Sequence, residues 1–294
     1  LWVAAADYSQ DVSVSDEILA RTSEAYRRIR NTFRFLLSNL GDFDPATDSV
    51  AWADMPELDR FAMAQLAELS TRVTTAYDEW RFHAVYRAIY DYVGEFSSVY
   101  LDVLKDRLYA DGATSPSRRS AQTVLAAALG VLVRVLAPIL SFTCEEVWQF
   151  MPESMRDAKS VHLSDWPSVS VPAEGAAAVL GEYATVLDVR ETVTKALEEA
   201  RNAKVIGKSQ EAEVRLIAPA DVVAVLERRG SGALAELFIV AEVRVAAGDE
   251  LAVEVHPAAG EKCPRCWNVR ELGTDASQPE VCGRCAEVLG LLGG

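Results

Sequence analysis

Histidine and cysteine are scarce in this chain, and their scarcity narrows the chemistry that its side chains can perform. The 294 residues include three histidines, His83, His162 and His256, which are isolated from one another along the sequence. Four of the five cysteines lie together near the C-terminus. No grouping of histidine with glutamate or cysteine points to a catalytic metal site, so a metalloenzyme is disfavoured.

Positive charge is scarce as well. The chain has 29 lysines and arginines against 44 aspartates and glutamates, which gives a formal net charge of −15 and a pI near 4.7. This balance argues against a protein that coats nucleic acid nonspecifically. A local basic groove remains compatible with it.

Long apolar runs are also missing. No run reaches the roughly 18 residues of a membrane span without a charge or a proline; residues 124–140 come closest, but Arg134 and Pro138 interrupt them. The apolar residues 1–6 are too short for a signal peptide and lack a basic leader, and there is no initiator methionine. We therefore expect a cytoplasmic, monomeric piece of a longer polypeptide, cut inside a domain and not bound to a membrane.

The most specific pattern that is present is a pair of Cys-x2-Cys segments. Cys263 and Cys266 form the first pair, Cys282 and Cys285 form the second, and fifteen residues separate the pairs. Tetrahedral zinc takes four soft ligands at ~2.3 Å, and two such turns can close one site. Because four cysteines leave no position for water, the pattern predicts one structural zinc ion.

Two other interpretations of these cysteines are weaker. Disulfides require an oxidising compartment, and the sequence has no secretory signal. A redox dithiol of the thioredoxin type uses one Cys-x2-Cys beside a βαβ pattern, not two in a loop that contains glycine and proline. The fifth cysteine, Cys144, lies in an apolar helical stretch and is expected to be a small buried hydrophobe.

Hydrophobic periodicity predicts a mainly α fold. The first predicted helix runs from about residue 15 to 40, with Ser15 as N-cap and Gly41 as stop. Further helices are predicted at about 57–77, 81–109 with a break near 94–98, 117–137 and 143–150. Long helices joined by loops indicate an antiparallel bundle.

The composition changes after Met151. Residues 161–167 are a candidate edge strand or extended strap, and a helix is predicted at about 174–202. Strand-like runs at 212–217, 237–245 and 251–256, with a short helix at 220–229, indicate a small α+β unit. A zinc-ribbon-like module of four cysteines ends the chain. The predicted segments are 1–14, 15–151, 152–173, 174–258 and 259–294.

Several stretches together resemble the C-terminal part of the bacterial isoleucyl-tRNA synthetases, a family of class I aminoacyl-tRNA synthetases. They are 26–37 (YRRIRNTFRFLL), 105–109 (KDRLY), 118–123 (RRSAQT), 142–148 (FTCEEVW), 204–207 (KVIG) and 261–267 (EKCPRCW). The valyl, leucyl and methionyl enzymes are similar in the helical bundle. The terminal Cys-Pro-Arg-Cys-Trp segment favours the isoleucyl family.

This resemblance implies a function in reading tRNA. Segment 15–151 would be the anticodon-binding bundle, 1–14 a remnant of the junction to the catalytic domain, and tRNA-Ile and that catalytic domain the partners. The HIGH-type and KMSKS-type sequences of the family, which handle ATP, do not occur here. The resemblance thus implies that ATP belongs to a domain outside this sequence, and that this chain alone does not form aminoacyl-adenylate.

Candidate tRNA contacts follow from positive charge and from one tryptophan beside the cysteines. Arg27, Arg30 and Arg34 share one helix face, and residues 21–34 contain five arginines against one glutamate. Further candidates are Arg118 and Arg119, which open a helix where the dipole disfavours cations, then Lys204, Lys208 and Trp267. The face with Arg27, Arg30 and Arg34 could instead be solvated and internally ion-paired, or it could dock on the catalytic domain. Arg118 and Arg119 could meet either a ligand anion or an acidic partner, and Trp267 could stack on a base or pack beneath the cysteine turn.

A second hypothesis comes from a different class of protein. It is a stand-alone adaptor, built from a helical bundle and a zinc ribbon, that binds other proteins. The same part of another class I synthetase is a third.

Overall fold

The computed structural model describes residues 1–292. Its helices are α1 (Trp2–Ala5), α2 (Asp16–Ser38), α3 (Pro45–Asp48), α4 (Glu57–Asp78), α5 (Phe82–Ser98), α6 (Tyr100–Val103), α7 (Lys105–Ala110), α8 (Pro116–Leu136), α9 (Ser141–Phe150), α10 (Ala173–Asn202), α11 (Ala220–Glu227), α12 (Gly230–Phe238) and α13 (Gly283–Leu292). Its strands are β1 (Ala212–Ala218), β2 (Glu242–Ala247), β3 (Ala252–Pro257), β4 (Glu261–Lys262) and β5 (Val269–Arg270). The mainly α fold class with a small sheet unit is confirmed.

The chain forms two compact units. The first contains residues 1–102 and 113–179, and the second contains 103–112 and the residues from 180 onward. Segment 103–112, which includes α7, therefore belongs with the C-terminal part of the chain. The finer division into five segments stays a prediction.

Helix α2 begins where its sequence predicts. The Ser15 side chain accepts a hydrogen bond from the Ile18 backbone N–H at 3.2 Å, and Asp16 and Glu17 occupy the first turn. Such a cap stabilises a helix by about 1 kcal/mol. Ile29, Phe33 and Leu36 form the buried face of the helix.

The core of the first unit is the bundle of α2, α4, α5 and α8, which pack against one another. Its fully buried residues include Leu66, Leu69, Ile89, Phe96, Leu125 and Leu132. One carboxylate, Asp59, is buried among them. Its two oxygens accept hydrogen bonds from Tyr100 Oη at 2.8 Å and Ser120 Oγ at 2.6 Å, so its buried polar atoms are satisfied.

The predicted break near 94–98 occurs at the C-terminal edge of that range, because α5 continues through Gly94 and ends at Ser98. The chain bends at Val99 (φ −107°, ψ −74°). Gly94 has a packing function: a Cβ at this position would lie 3.1 Å from Arg28 Nη1 of α2. The glycine thus allows α2 to approach closely and does not end the helix.

Within the described residues, α8 alone has the length and apolar composition of a membrane span. Its most apolar window is 67% buried inside the protein, and a core helix passes the same test. In the first unit, α8 is the helix that packs on α2, α4 and α9.

The candidate edge strand at 161–167 does not form. Residues Glu153–Met155 and Val161–Leu163 make short 3-10 turns, and the remainder is extended without a strand partner in the described chain. The Glu145 carboxylate accepts hydrogen bonds from Ser160 Oγ at 2.8 Å and from the Val161 backbone N–H at 3.1 Å. The Glu145 carboxylate thus bonds a backbone N–H that a strand would use to pair with its neighbour.

The second unit is built on a three-stranded sheet in the order β2-β1-β3. Strand β1 pairs in parallel with β2 and antiparallel with β3. Its alternate residues, Ala212, Val214, Leu216 and Ala218, are buried, and α11 and α12 pack on β2. Arg190 of α10 donates through Nε to the Leu237 carbonyl at 3.2 Å, which ties α10 to α12.

The predicted strand at 237–245 is half wrong. Leu234, Leu237 and Phe238 bury their side chains on α12, and the strand begins only at Glu242. A left-handed residue, Ile239 (φ 58°), ends the helix. The short apolar run fits either periodicity, so it could not be assigned from sequence spacing alone.

Candidate metal centre and nucleic-acid interface

The four cysteines near the C-terminus come together as one buried cluster. Their Sγ atoms all lie within 4.8 Å of one another, and Cys266 Sγ and Cys282 Sγ are 3.8 Å apart. All five cysteines are free, and the 3.8 Å between Cys266 Sγ and Cys282 Sγ exceeds the ~2.05 Å of a disulfide bond. The cluster packs with Ala110, Val281 and Ala286.

Tight backbone turns aim the sulfurs at a common point. In the first turn, the Trp267 N–H donates to the Cys263 carbonyl at 2.8 Å, and the Cys263 N–H donates to the Asn268 carbonyl at 2.9 Å. Trp267 adopts a left-handed conformation (φ 64°) to close this turn. The Cys282 N–H donates to Cys263 Sγ at 3.5 Å, which joins the second turn to the first.

The thiols of the cluster differ in pKa. Burial raises the pKa of Cys263, but N–H donors from Cys266, Cys282 and Arg265 outweigh it and lower the value to about 6. Burial raises the pKa of Cys285 to about 12. Four thiolates this close repel one another, so a divalent cation between them would favour the fully deprotonated set.

The donor set fits one structural zinc ion. A tetrahedron with Zn–S distances of ~2.3 Å has sulfur–sulfur separations of ~3.8 Å, and Cys266 Sγ and Cys282 Sγ are this far apart. All four donors are buried, and four thiolates fill the coordination shell. When bound, the ion would supply a cross-link between the two turns.

Two residues near the cluster were not identified from the sequence. Asp106 of α7 accepts hydrogen bonds from Arg284 Nη1 at 2.5 Å, Arg284 Nη2 at 2.9 Å and Asn268 Nδ2 at 2.8 Å. Their contact leaves no local pattern in the sequence, because 162 residues separate Asp106 from Asn268.

The arginines of α2 are exposed and partly paired. Arg27 forms an ion pair with Glu24 at 2.9 Å, and Arg30 lies 3.7 Å from Glu146 of α9. Arg30, Arg34 and Phe150 line a cleft of about 630 Å³ between α2 and α9. Phe142 and Phe150 are 94% and 73% exposed. Exposed guanidinium groups and aromatic rings are thus neighbours on this surface.

Arg118 and Arg119 have internal acidic partners. Arg118 donates from Nη1 and Nη2 to the two oxygens of Asp42 at 2.6 and 3.0 Å, and Arg119 donates to the Asp42 carbonyl at 2.7 Å. The Arg118 hydrogen bond is the largest influence on Asp42 and, despite partial burial, lowers its pKa to about 2. These contacts hold the loop after α2, and a tRNA contact by either arginine stays a prediction.

The remaining candidates, Lys204, Lys208 and Trp267, lie in the second unit. Lys208 Nζ lies 5.6 Å from the centroid of the Trp267 ring, and this ring is 58% exposed. Lys204, in the left-handed region (φ 58°), follows the end of α10. Gly207 and Lys208 donate backbone N–H bonds to Glu211 Oε2 at 3.2 Å each, which fixes the loop. The structure therefore brings Lys208 and Trp267 together.

With this geometry in place, comparison with known families defines the class of protein. Residues 59–216 match the anticodon-binding domain of tRNA ligases, which is more than half of the chain. Residues 260–288 match a zinc finger found in FPG and IleRS, and they contain all four cysteines. The chain belongs to the anticodon-binding family of tRNA ligases.

The similar curated proteins are isoleucine–tRNA ligases. The chain is 47% identical to that of Syntrophotalea carbinolica in an alignment of 304 positions that covers 98% of this chain and 32% of that protein. It is 45% identical to that of Moorella thermoacetica and 43% identical to that of Desulfitobacterium hafniense, with 98% of this chain and 33% of each relative covered. The chain thus spans about a third of the length of these relatives.

One solved structure is also similar, a ternary LeuRS–tRNA–LeuAMS complex of Agrobacterium radiobacter K84. The TM-score is 0.42 at 15% identity, over 89% of this chain and 23% of that one. A likeness at this level carries no argument.

Proposed function

We propose that this chain is the part of an isoleucine–tRNA ligase that binds the anticodon region of tRNA-Ile and presents the tRNA to a catalytic domain outside this sequence. The observation that carries the proposal is the presence, in one chain, of the anticodon-binding match and the four-cysteine module. Identities of 42–47% to isoleucine–tRNA ligases, over 98% of the chain, support it. We also propose that the protein is a monomer located in the cytoplasm.

The metal part of this proposal assigns Cys263, Cys266, Cys282 and Cys285 as the four ligands of one zinc ion. Their buried cluster supports the assignment. The role of the ion is structural, because the donor set leaves no position for water or substrate.

The first proposed tRNA contact is the surface between α2 and α9. Unpaired bases of an RNA loop stack on aromatic rings and guanidinium planes, and phosphates attract cations. Arg27, Arg30 and Arg34 supply the cations, and the exposed Phe150 supplies a ring beside them. Because the chain as a whole is acidic, such a local patch would direct the tRNA to one place.

The second proposed contact consists of Lys204, Lys208 and Trp267 in the other unit. An exposed indole held beside a lysine can stack on a base while the ammonium group approaches a phosphate. The thiolate cluster contributes negative charge, so recognition by this module depends on geometry more than on attraction.

The stand-alone adaptor is not favoured, because the family match covers more than half of the chain. The alternatives, in which the chain is the same part of a valyl or leucyl enzyme, differ in the tRNA that the chain would bind. We expect the chain to bind tRNA-Ile more tightly than tRNA-Val in equilibrium titrations at several salt concentrations. Equal affinity for the two tRNAs at every salt concentration would contradict specific anticodon reading and leave only charge-driven association.

A further inference from the structure

Both Cys-x-Arg-Cys segments direct their arginine to the same short helix. Arg265, in the first segment, donates from Nη1 to the carbonyl of Ala110 at the end of α7. Arg284, in the second, makes the bidentate contact with Asp106 and lies 3.5 Å from Asp111. Two segments separated by fifteen residues thus converge on one helix turn from another part of the sequence.

Asp106 is the point at which the two turns meet. It accepts from Asn268, which follows the first pair of cysteines, and from Arg284, which lies within the second pair. The carboxylate is fully hydrogen-bonded only when both turns are in place. Arg284 and Asp106 are 24% and 27% exposed, so their separation would leave partly buried charges without partners.

The contact with α7 also reaches a metal-binding sulfur. Arg265 Nη1, which donates to Ala110, lies 3.4 Å from Cys285 Sγ. A guanidinium at this distance can donate a hydrogen bond to the sulfur. The Ala110 carbonyl therefore holds Arg265 beside one of the four cysteines.

Helix α7 is fixed on its other side by the α+β part of the same unit. The neighbouring Arg107 is almost completely buried, and its Nε lies 2.6 Å from Glu236 Oε1 of α12. Consecutive residues of one helix thus pair with different parts: Asp106 with the zinc module and Arg107 with α12.

We propose that Asp106 is a positioning residue for the zinc module, and that the metal site and α7 become ordered together. This inference rests on the proposed zinc site, since it concerns residues around the ion and none of its ligands. Partners that orient metal ligands from outside the coordination shell typically change metal affinity about 10- to 100-fold when removed.

The test compares the full chain with its Asp106→Asn variant. Zinc affinity is measured by competition with a chromophoric chelator, ligand geometry by the absorption of the Co²⁺-loaded protein, and order in α7 by hydrogen exchange. We expect one zinc per chain and a four-thiolate Co²⁺ spectrum in both proteins. The variant should bind zinc at least tenfold more weakly, with faster exchange at 105–110. Chelation should increase that exchange in the wild type.

Asp249→Asn, at an exposed residue before β3, removes the same charge and should behave as wild type. If Asp106→Asn does not fold, Asn268→Ala removes one donor to Asp106 and keeps every charge. Wild-type zinc affinity and wild-type exchange in these variants would overturn the coupling while leaving the zinc site intact. A wild-type chain that binds no zinc would overturn the site itself.

Discussion

At the scale of single residues, Asp42 is the internal partner of two arginines whose positive charge could otherwise attract a ligand anion. Arg118 and Arg119 stand at the start of α8, and the sequence leaves open whether they meet an anion or an acidic side chain. The structure supplies Asp42, 76 residues away from Arg118, and Gln122 Nε2 donates to the same carboxylate at 2.8 Å. Pairings across such separations have no local pattern in the sequence.

This arrangement predicts a pH dependence. The pKa of Asp42 in the fold, about 2, lies below its ordinary value of 3.8, so its contribution to stability is complete above about pH 4 and is lost as pH falls toward 2. Asp42→Asn should lower the melting temperature at neutral pH, and the difference from wild type should shrink across that acidic range. Asp78→Asn, at the exposed end of α4, controls for the loss of one charge. A difference that stays constant from pH 5 to 2 would contradict the assignment.

At the scale of secondary-structure elements, the sequence predicts the helices whose positions depend on hydrophobic periodicity and capping residues. Helix α2 has its capping serine and its stripe of apolar residues, and α4, α8 and α10 have long helical patterns, so each is predicted within a few residues. Gly94 indicates a helix break in the sequence, but its missing side chain instead makes room for Arg28 of the neighbouring α2. The apolar run before β2 is predicted as a strand but belongs to α12, because a helix and a strand would bury such a short run equally well.

The same contrast applies to the candidate sites. The four cysteines are predicted because local spacing creates a metal site. Asp106, Asn268 and the pairing of Lys208 with Trp267 depend on tertiary contacts that no spacing reveals.

The arginine stripe of α2 gives a prediction at this scale. Replacing Arg27, Arg30 and Arg34 by alanine should weaken tRNA binding and reduce the slope of log K against log salt by about 2, if each contacts one phosphate of a single strand. The measurement is a salt titration by fluorescence anisotropy. A triple alanine variant of Arg72, Arg81 and Arg87, also exposed in the first unit, removes equal charge elsewhere. An unchanged slope in a folded stripe variant would assign the arginines to ion pairs or to protein docking.

At the scale of the whole molecule, the two units should respond differently to metal removal. The module from about 261 to 286 has few buried apolar residues besides its cysteines, so metal binding must supply its folding free energy. The bundle has its own apolar core. We expect chelation, or Cys282→Ser, to expose the tail to protease while most of the helical circular dichroism remains.

Cys144→Ala is the matched control, because Cys144 is buried in α9 and burial raises its pKa to about 12. Its zinc content should equal that of wild type. Zinc affinity should also fall on acidification, since the ligands must lose protons to bind. A metal-free protein with a protease-resistant tail would contradict the metal assignment.

The discontinuous second unit has a consequence for the order in which a ribosome can complete the fold. All residues of the first unit have been synthesised by Val179, but α7, made long before, must wait for Arg284, 178 residues downstream of Asp106. Chains fold from the N-terminus during synthesis, and distant contacts form late. The nascent bundle therefore carries segment 103–112 as an unfinished insertion until the final cysteines emerge. A chain that stops before them would retain a complete first unit and an exposed, incompletely paired α7, which is a surface that chaperones and proteases can recognise.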